Sequence, residues 1–483
     1  MVNIIVKNQI YVKTDNVELV KNLKNILSKE NPEYYKKKSL GFYVDPRKIP
    51  PRYDMFKRWE SGIIIPRGTG KLVRELCNKY NLEYKISDFR TKNKNLEIDI
   101  ADGIEPFWYQ RGALDTMLKS QQGLIVAPCG SGKTVIAICF IGEMKVKTLI
   151  VTHTMELLKQ WKDELKSKLQ GRFSIGQFGN GVKKHGDITI ALIQTLSRMN
   201  KKESESFFNR YSCYIADEAH HWGANSFVDS MHLVDAYYMF GLTATPKRKD
   251  GRTFLIDTYL GKIIHSINPS DLEMSGRLVT CKINVVNTNI NFDFGRLQEN
   301  YILLGTQLAK DLMRNDIIKK NVMRDLDDGK VPMIITERKT HAMILKSLFE
   351  GEGFKVAEIT GRIPPEQRDS IKMGFKRGEY DILVANKQIA AEGLDLPQLD
   401  SVHIVFYTNN KNLIKQAIGR GRRTFENKDY CRVWWYRDYL FQLQEDPFSE
   451  SGFQKVECDT YKYNHMRILK WFKDEGFEVK EII

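Results

Sequence analysis

GLIVAPCGSGKTVIAICFIGEM, residues 123–144, runs from an apolar strand-like segment through a glycine-rich turn into an apolar helical segment. Gly130 and Gly132 let the backbone bend until successive N–H groups point inward, and the start of the following helix adds a field that favours phosphate oxygens. In that setting Lys133 reaches the β- and γ-phosphates of ATP and Thr134 offers its hydroxyl to Mg2+. Gly130, Ser131, Gly132, Lys133 and Thr134 are therefore read as a phosphate-binding loop. Ala127 stands where such loops commonly have Gly, yet the strand before and the helix after set the stretch apart from a chance glycine run.

Outward from this loop the same rhythm continues. Short apolar runs at 124–127, 148–152, 188–193, 213–216 and 238–242 alternate with helical patterns, as expected of buried parallel strands with helical crossovers. The rhythm loosens after Tyr259, then resumes at 333–336, 356–359, 382–385, 402–406 and 432–435, so two successive α/β sheets are predicted. Ahead of them, residues 4–13 alternate like a strand and residues 17–27 have helical spacing after Asp15, a candidate N-cap. Lys36 to Tyr53 is basic and aromatic, and Arg67, Gly68 and Gly70 lead into a helix ending near Tyr80. The organisation expected is a basic accessory domain over 1–100, a first lobe over 101–268, a second over 269–460 and a helical tail over 461–483.

The chain holds 75 Lys+Arg against 60 Asp+Glu, a net charge of +15, in 483 residues that are 42% hydrophobic. That surplus favours a polyanionic partner, with a merely solvated lysine-rich surface as the plain alternative. Residues 1–100 carry 21 of the cations and 12 of the acids, so most of the surplus lies there. Seven scattered cysteines without a CxxC pair point away from a zinc site or disulfide framework, and no run of 18 apolar residues occurs. A reduced, cytoplasmic protein is expected.

YIADEAHH, residues 214–221, ends a buried strand in paired carboxylates. Asp217 suits the metal and Glu218 the attacking water. His220 and His221 read either as metal ligands or, for His220, as a coupling hydrogen bond toward Thr243. QAIGRGRR, residues 416–423, spaces Arg420 and Arg423 to face one anion, although such a run taken alone is more often a nucleic-acid surface.

Together these three motifs, in this order, resemble the superfamily 2 helicases over about residues 104–455. The resemblance implies two tandem RecA-like lobes that clasp ATP with Lys133, Asp217 and Glu218 on one side and Arg420 and Arg423 on the other. FWYQ, 107–110, looks like the adenine-recognising motif, with Gln110 on the base edge. VTHTMELLKQW, 151–161, and IQTL, 193–196, look like strand-binding motifs, with His153 in place of the usual Pro. LTATP, 242–246, resembles the coupling motif, with Thr243 and Thr245. IITER (334–338), EITGR (358–362) and NKQIAAEGLDLP (386–397) match second-lobe motifs, with Asn386 where Thr is usual. The resemblance implies Thr154, Gln194, Thr195, Thr336, Thr360 and Gly361 as nucleic-acid contacts, and Gly393, Asp395 and Gln416 beside the nucleotide.

GLTATPKRKDG (241–251), ILLGTQLAKDLMRNDIIKK (302–320) and the 465–479 tail look like the branch that includes XPB and the phage UvsW-type helicases. That branch implies a monomeric 3′ to 5′ motor on single-stranded and branched duplex DNA, working beside recombination or single-strand-binding proteins. The box reads DEAH and the arginine motif opens with Gln416 rather than His, which favours DNA over RNA. Two rivals are a restriction-system motor, for which Glu83-Tyr84-Lys85 and Glu164-Leu165-Lys166 are only faint nuclease triplets, and a non-catalytic annealing scaffold.

Overall fold

Each apolar run of the sequence becomes a strand buried on both faces, and the helical patterns between them become crossovers. In the computed structural model the residues described are 1–483 apart from 93–95, 220–230, 246–250, 292–300, 362, 393–395, 446–447, 450–452, 458 and 483. They form two compact units, Met1–Asp271 and Leu272–Ile483. Among the described residues no helix is long and apolar enough to cross a membrane.

The main sheet of the first unit runs Val182–Lys184, Ile175–Gly179, Ile188–Leu192, Thr148–Thr152, Cys213–Asp217, Tyr238–Thr243, Gln122–Val126, Ile263–Ser266. Neighbours are parallel except at the Val182–Lys184 edge. Asp217 lies beside Leu242 and Thr243 beside Val126, so the loops leaving these three strands emerge side by side at one end of the sheet. Ligands of open α/β sheets bind at the carboxyl ends of the strands, and this register makes such a place.

The second unit repeats the plan in the order Val356–Ile359, Ile382–Asn386, Pro332–Thr336, Ser401–Ile404, Tyr430–Glu445, Thr280–Asn291, Glu478–Ile482, all parallel, with Phe453–Glu457 antiparallel on Tyr430–Glu445. Thr280–Asn291 escaped the sequence reading because Asn and Thr break up its apolar residues. Pairing on both sides makes it a strand. The tail is helical over Asp459–Asp474, but Glu478–Ile482 adds a strand to the sheet where only helix was expected.

The first residues depart from expectation twice. Residues 4–13 are not one strand but a hairpin, Val2–Val6 with Ile10–Lys13, reversed where Lys7 N–H bonds the Gln9 carbonyl at 2.9 Å. Asn16, not Asp15, caps the helix Val17–Leu27, its Oδ1 accepting from Leu19 N at 2.7 Å. The hairpin belongs to a five-stranded sheet with Lys57–Trp59, Gly62–Ile65 and Tyr84–Asp88. Its core, including Val12, Leu19, Ile63 and Val73, continues without a break into that of the lobe through Leu255, Ile256 and Tyr259.

Two arginines fasten this segment to the rest of the first unit. Arg67, 4% exposed, donates to the carbonyls of Ala236 at 2.5 Å, Tyr237 at 3.2 Å and Val234 at 3.5 Å, just before that strand begins. Burial, with the charge of Arg90 beside it, pulls its guanidinium down to about 9, which leaves it charged at neutral pH. Gly68 permits the approach, since a Cβ there would stand 2.4 Å from the Thr258 carbonyl. Beyond the strand, Arg252 pairs with Glu33 and donates to the Tyr53 hydroxyl at 2.9 Å. Arg67→Met should therefore cost about 2–4 kcal/mol, because it leaves buried carbonyls without a donor. Urea denaturation followed by circular dichroism checks this, and an unchanged midpoint would show that Arg67 fastens nothing.

Candidate nucleotide-binding site

The glycine loop leaves the sheet at Val126 and enters the helix Lys133–Met144, whose buried residues 136–142 wedge it against the sheet. Gly130 and Gly132 take φ of 85° and 75°, the left-handed region that glycine occupies without strain. At Gly132 the space is filled from outside, since an added Cβ would lie 2.3 Å from Gln110 Nε2. Ser131 is buried, while Thr134 is half-buried in the first helical turn.

Gln110 supports this loop. Its Nε2 donates to the Ser131 carbonyl at 2.7 Å and its Oε1 accepts from Phe107 N at 2.9 Å. Joining the start of the helix Trp108–Lys119 to the loop occupies both ends of the amide, leaving one amide hydrogen for another acceptor.

Opposite the loop, the strand Cys213–Asp217 ends in the two acids. Lys133 Nζ lies 3.1 Å from Glu218 Oε1 and 3.4 Å from the Ala127 carbonyl. Asp217, 5% exposed, accepts from Trp161 Nε1 at 2.8 Å on one oxygen and from Glu218 N at 3.0 Å on the other. Glu218 itself adopts φ of 46°, a strained backbone for a side chain of this kind. Burial, then the charge of Glu218, push the Asp217 carboxyl up to about 6, opposed by Trp161, Lys133 and His153. Burial pulls the Lys133 ammonium down, but Glu218, Cys129 and Asp217 outweigh it and leave it above its ordinary value.

A cation and two carboxylates at the mouth of a glycine loop fit a triphosphate with its divalent metal, because each charge then has a partner of opposite sign. Trp161 is the residue sequence reading passed over. It closes VTHTMELLKQW, but only the packing of the helix Met155–Lys168 on the sheet reveals that its indole N–H is aimed at Asp217.

The adjacent loop carries the coupling threonines. Thr243 Oγ1 donates to the Thr245 carbonyl at 2.9 Å and accepts from Thr245 N at 3.1 Å, while the Thr243 carbonyl receives Ala127 N at 2.9 Å. His220 lies outside the described residues.

The candidate nucleic-acid contacts are placed unequally. Thr154 caps its helix through Leu157 N at 3.2 Å, Gln194 is exposed with its amide on the His153 carbonyl at 2.9 Å, and Thr195 is half-buried. Thr336 and Thr360 are buried, their hydroxyls donating to the Arg338 carbonyl at 3.2 Å and to Glu358 at 3.1 Å, so neither is presented to solvent. Gly361 is exposed.

In the second unit the helix Lys411–Gly421 carries buried Gln416 and half-buried Arg420, with Arg423 just beyond its end. Arg422 faces inward, donating to the Val279 carbonyl at 3.0 Å and pairing with Glu273. The middle arginine thus anchors the motif, while Arg420 and Arg423 are half-buried. Gly393 and Asp395 lie outside the described residues.

Residues 103–248 match the family model described as "Type III restriction enzyme, res subunit", and residues 313–424 match "Helicase conserved C-terminal domain". The chain is 27% identical over 359 residues to the DNA 3′-5′ translocase XPB2 of Sulfurisphaera tokodaii, covering 66% of this chain and 79% of that protein. It is 22% identical over 469 residues to the ATP-dependent DNA helicase UvsW of Enterobacteria phage T4, covering 89% of each. A solved structure of Dbp5 from S. cerevisiae, bound to RNA and ADP–beryllium fluoride, shares the fold with a TM-score of 0.52 at 13% identity, covering 78% of this chain and 90% of that one. The motifs, the paired parallel sheets and both domain matches agree: the chain belongs to the superfamily 2 helicases and translocases, and among them it is similar to XPB and UvsW proteins.

Proposed function

We propose that this chain is an ATP-driven DNA translocase of the cytoplasm that remodels branched DNA, by branch migration, fork regression or the unwinding of D-loops and R-loops. The observation that carries the reading is the Lys133–Glu218 pair at 3.1 Å beside a carboxylate fixed by Trp161. In the resting site Lys133 and Glu218 neutralise each other. When ATP enters, Lys133 turns to its β- and γ-phosphates, and Glu218 is released to orient the attacking water. Thr134 and Asp217 would hold a magnesium ion, which would supply charge neutralisation on the phosphates. Arg420 and Arg423 are the cations that meet the γ-phosphate in the closed state, with Gly393, Asp395 and Gln416 beside them. Each cycle shifts the grip of Thr154, Gln194, Thr195 and Gly361 along one strand, with Thr336 and Thr360 reached only after rearrangement of their hydroxyls. Residues 1–100 add charge for duplex or branched DNA.

A restriction-system motor is the second reading, favoured by the description of the family model over 103–248. Nicking of supercoiled DNA in the presence of Mg2+ would establish it and displace the first.

Lys133→Ala should lower DNA-stimulated ATP turnover at least about a hundredfold while leaving DNA binding in place. Turnover near wild type in a phosphate-release assay would overturn the assignment. Wild-type turnover should rise most with forks and four-way junctions, less with single strands, and least with RNA. An RNA preference would move the substrate class.

Asp217 holds more protons folded than unfolded between the ordinary carboxylate range and about 6, so its share of stability is present at low pH and lost as pH rises through that window. Lowering pH from 7.5 to 5.5 should stabilise the ligand-free wild type by about 1 kcal/mol relative to Asp217→Asn. Thermal melts of both proteins at each pH measure the difference, and parallel pH curves would contradict it.

A further inference from the structure

The loop following the helix Pro32–Ser39 displays aromatic rings where a chain of this kind ordinarily hides them. Gly41, at φ 79°, ends the helix in a Schellman turn, with Phe42 N bonded to the Lys37 carbonyl at 3.1 Å and Gly41 N to the Lys38 carbonyl at 3.0 Å. The residue in the place of Phe42 usually folds back on an apolar side chain of the last helical turn. Here that place is held by Lys37, whose ammonium pairs with Glu33 at 2.7 Å, and Phe42 is 63% exposed. Tyr43 follows at 91%, and Leu40 is 63% exposed.

The loop is nevertheless built, not slack. Val44 is buried, and Asp45 closes a turn by accepting Arg47 N at 2.9 Å on its side chain and Ile49 N at 3.0 Å on its carbonyl. The ends are tied together, with Asn31 N on the Pro51 carbonyl at 2.9 Å and Asn31 Nδ2 on the Pro50 carbonyl at 2.7 Å. A closed, internally bonded loop can hold exposed rings in place, which reduces the entropy lost when something stacks on them. Between Tyr34 and Tyr53 the chain has six cations and one acid, and Lys36, Lys38, Arg47 and Lys48 are all exposed around the rings. The acid, Asp45, is engaged in the turn.

We propose that Phe42 and Tyr43 form a base-stacking tip that takes unpaired nucleobases where strands part, with Lys36, Lys38, Arg47 and Lys48 on the flanking phosphates. The occupant must be anionic, to answer the cations, and must offer flat apolar faces, to cover the rings. Unpaired nucleotides do both, whereas within a continuous duplex every base face is already stacked. This rests on the nucleic-acid reading above and adds to it what the accessory segment recognises: the branch itself, distinct from the charge that draws in any duplex.

The test uses the full chain and needs no ATP turnover, so it can fail or succeed independently of the motor assignment. Binding of Phe42→Ala/Tyr43→Ala is compared with wild type on a forked DNA carrying 2-aminopurine at the branch, on relaxed closed-circular duplex, and on anionic lipid vesicles. Expected are a loss of at least about tenfold on the fork, an unchanged affinity for circular duplex, and loss of the 2-aminopurine quenching that wild type produces. Phe42→Trp/Tyr43→Trp should restore both affinity and quenching, and melting temperatures should not differ, since the rings are exposed. Equal fork affinity, an equal loss on fork and circle, or a loss confined to vesicle binding would each overturn the proposal.

Discussion

Two adjacent carboxylates and a lysine, drawn out of water at the end of one strand, set the terms for the rest of the first unit. Burying such charges costs several kcal/mol each unless they are paired and hydrogen-bonded. Lys133 answers Glu218, Trp161 and the Glu218 backbone answer Asp217, and Glu218 holds a left-handed backbone beside them. The glycine loop, its Gln110 brace and the helix carrying Trp161 are arranged around that requirement.

Asp325 in the second unit shows the contrast. It is buried as deeply, yet it receives His403 Nε2 at 2.8 Å, Arg432 at 2.6 Å and Trp434 Nε1 at 2.7 Å, together with the Ser401 hydroxyl. Burial pushes its carboxyl up, but His403, Ser401 and Arg432 more than offset that and hold it below the usual range. Asp217, where burial and the charge of the adjacent Glu218 outweigh Trp161, Lys133 and His153, moves the opposite way. The same residue type is thus shifted in opposite directions by what surrounds it.

The accessory segment is joined to the first lobe by more than sequence continuity. Arg67 grips the carbonyls before the Tyr238–Thr243 strand and Arg252 is held just beyond its loop, so residues 1–100 flank the strand whose Thr243 carbonyl bonds the glycine loop at Ala127. Because the hydrophobic core is shared, cutting the chain at residue 100 would open the lobe's own interior. Substitution of surface charges is therefore the sound way to probe this segment.

The sequence by itself determined the two parallel sheets and the glycine loop, because continuous apolar runs and a strand–loop–helix spacing are local signals that few folds can satisfy. It placed the Lys133, Asp217 and Glu218 set for the same reason. It could not place Trp161 on Asp217, 56 positions away, nor separate anchoring Arg422 from its neighbours Arg420 and Arg423, since those distinctions depend on which face packs inward. The Thr280–Asn291 strand, the strand in the tail and the shared core of residues 1–100 were likewise decided only by tertiary structure. A half-polar segment becomes a strand when neighbours complete its hydrogen bonds, and a buried arginine becomes a fastening only where folding brings unpaired carbonyls to meet it.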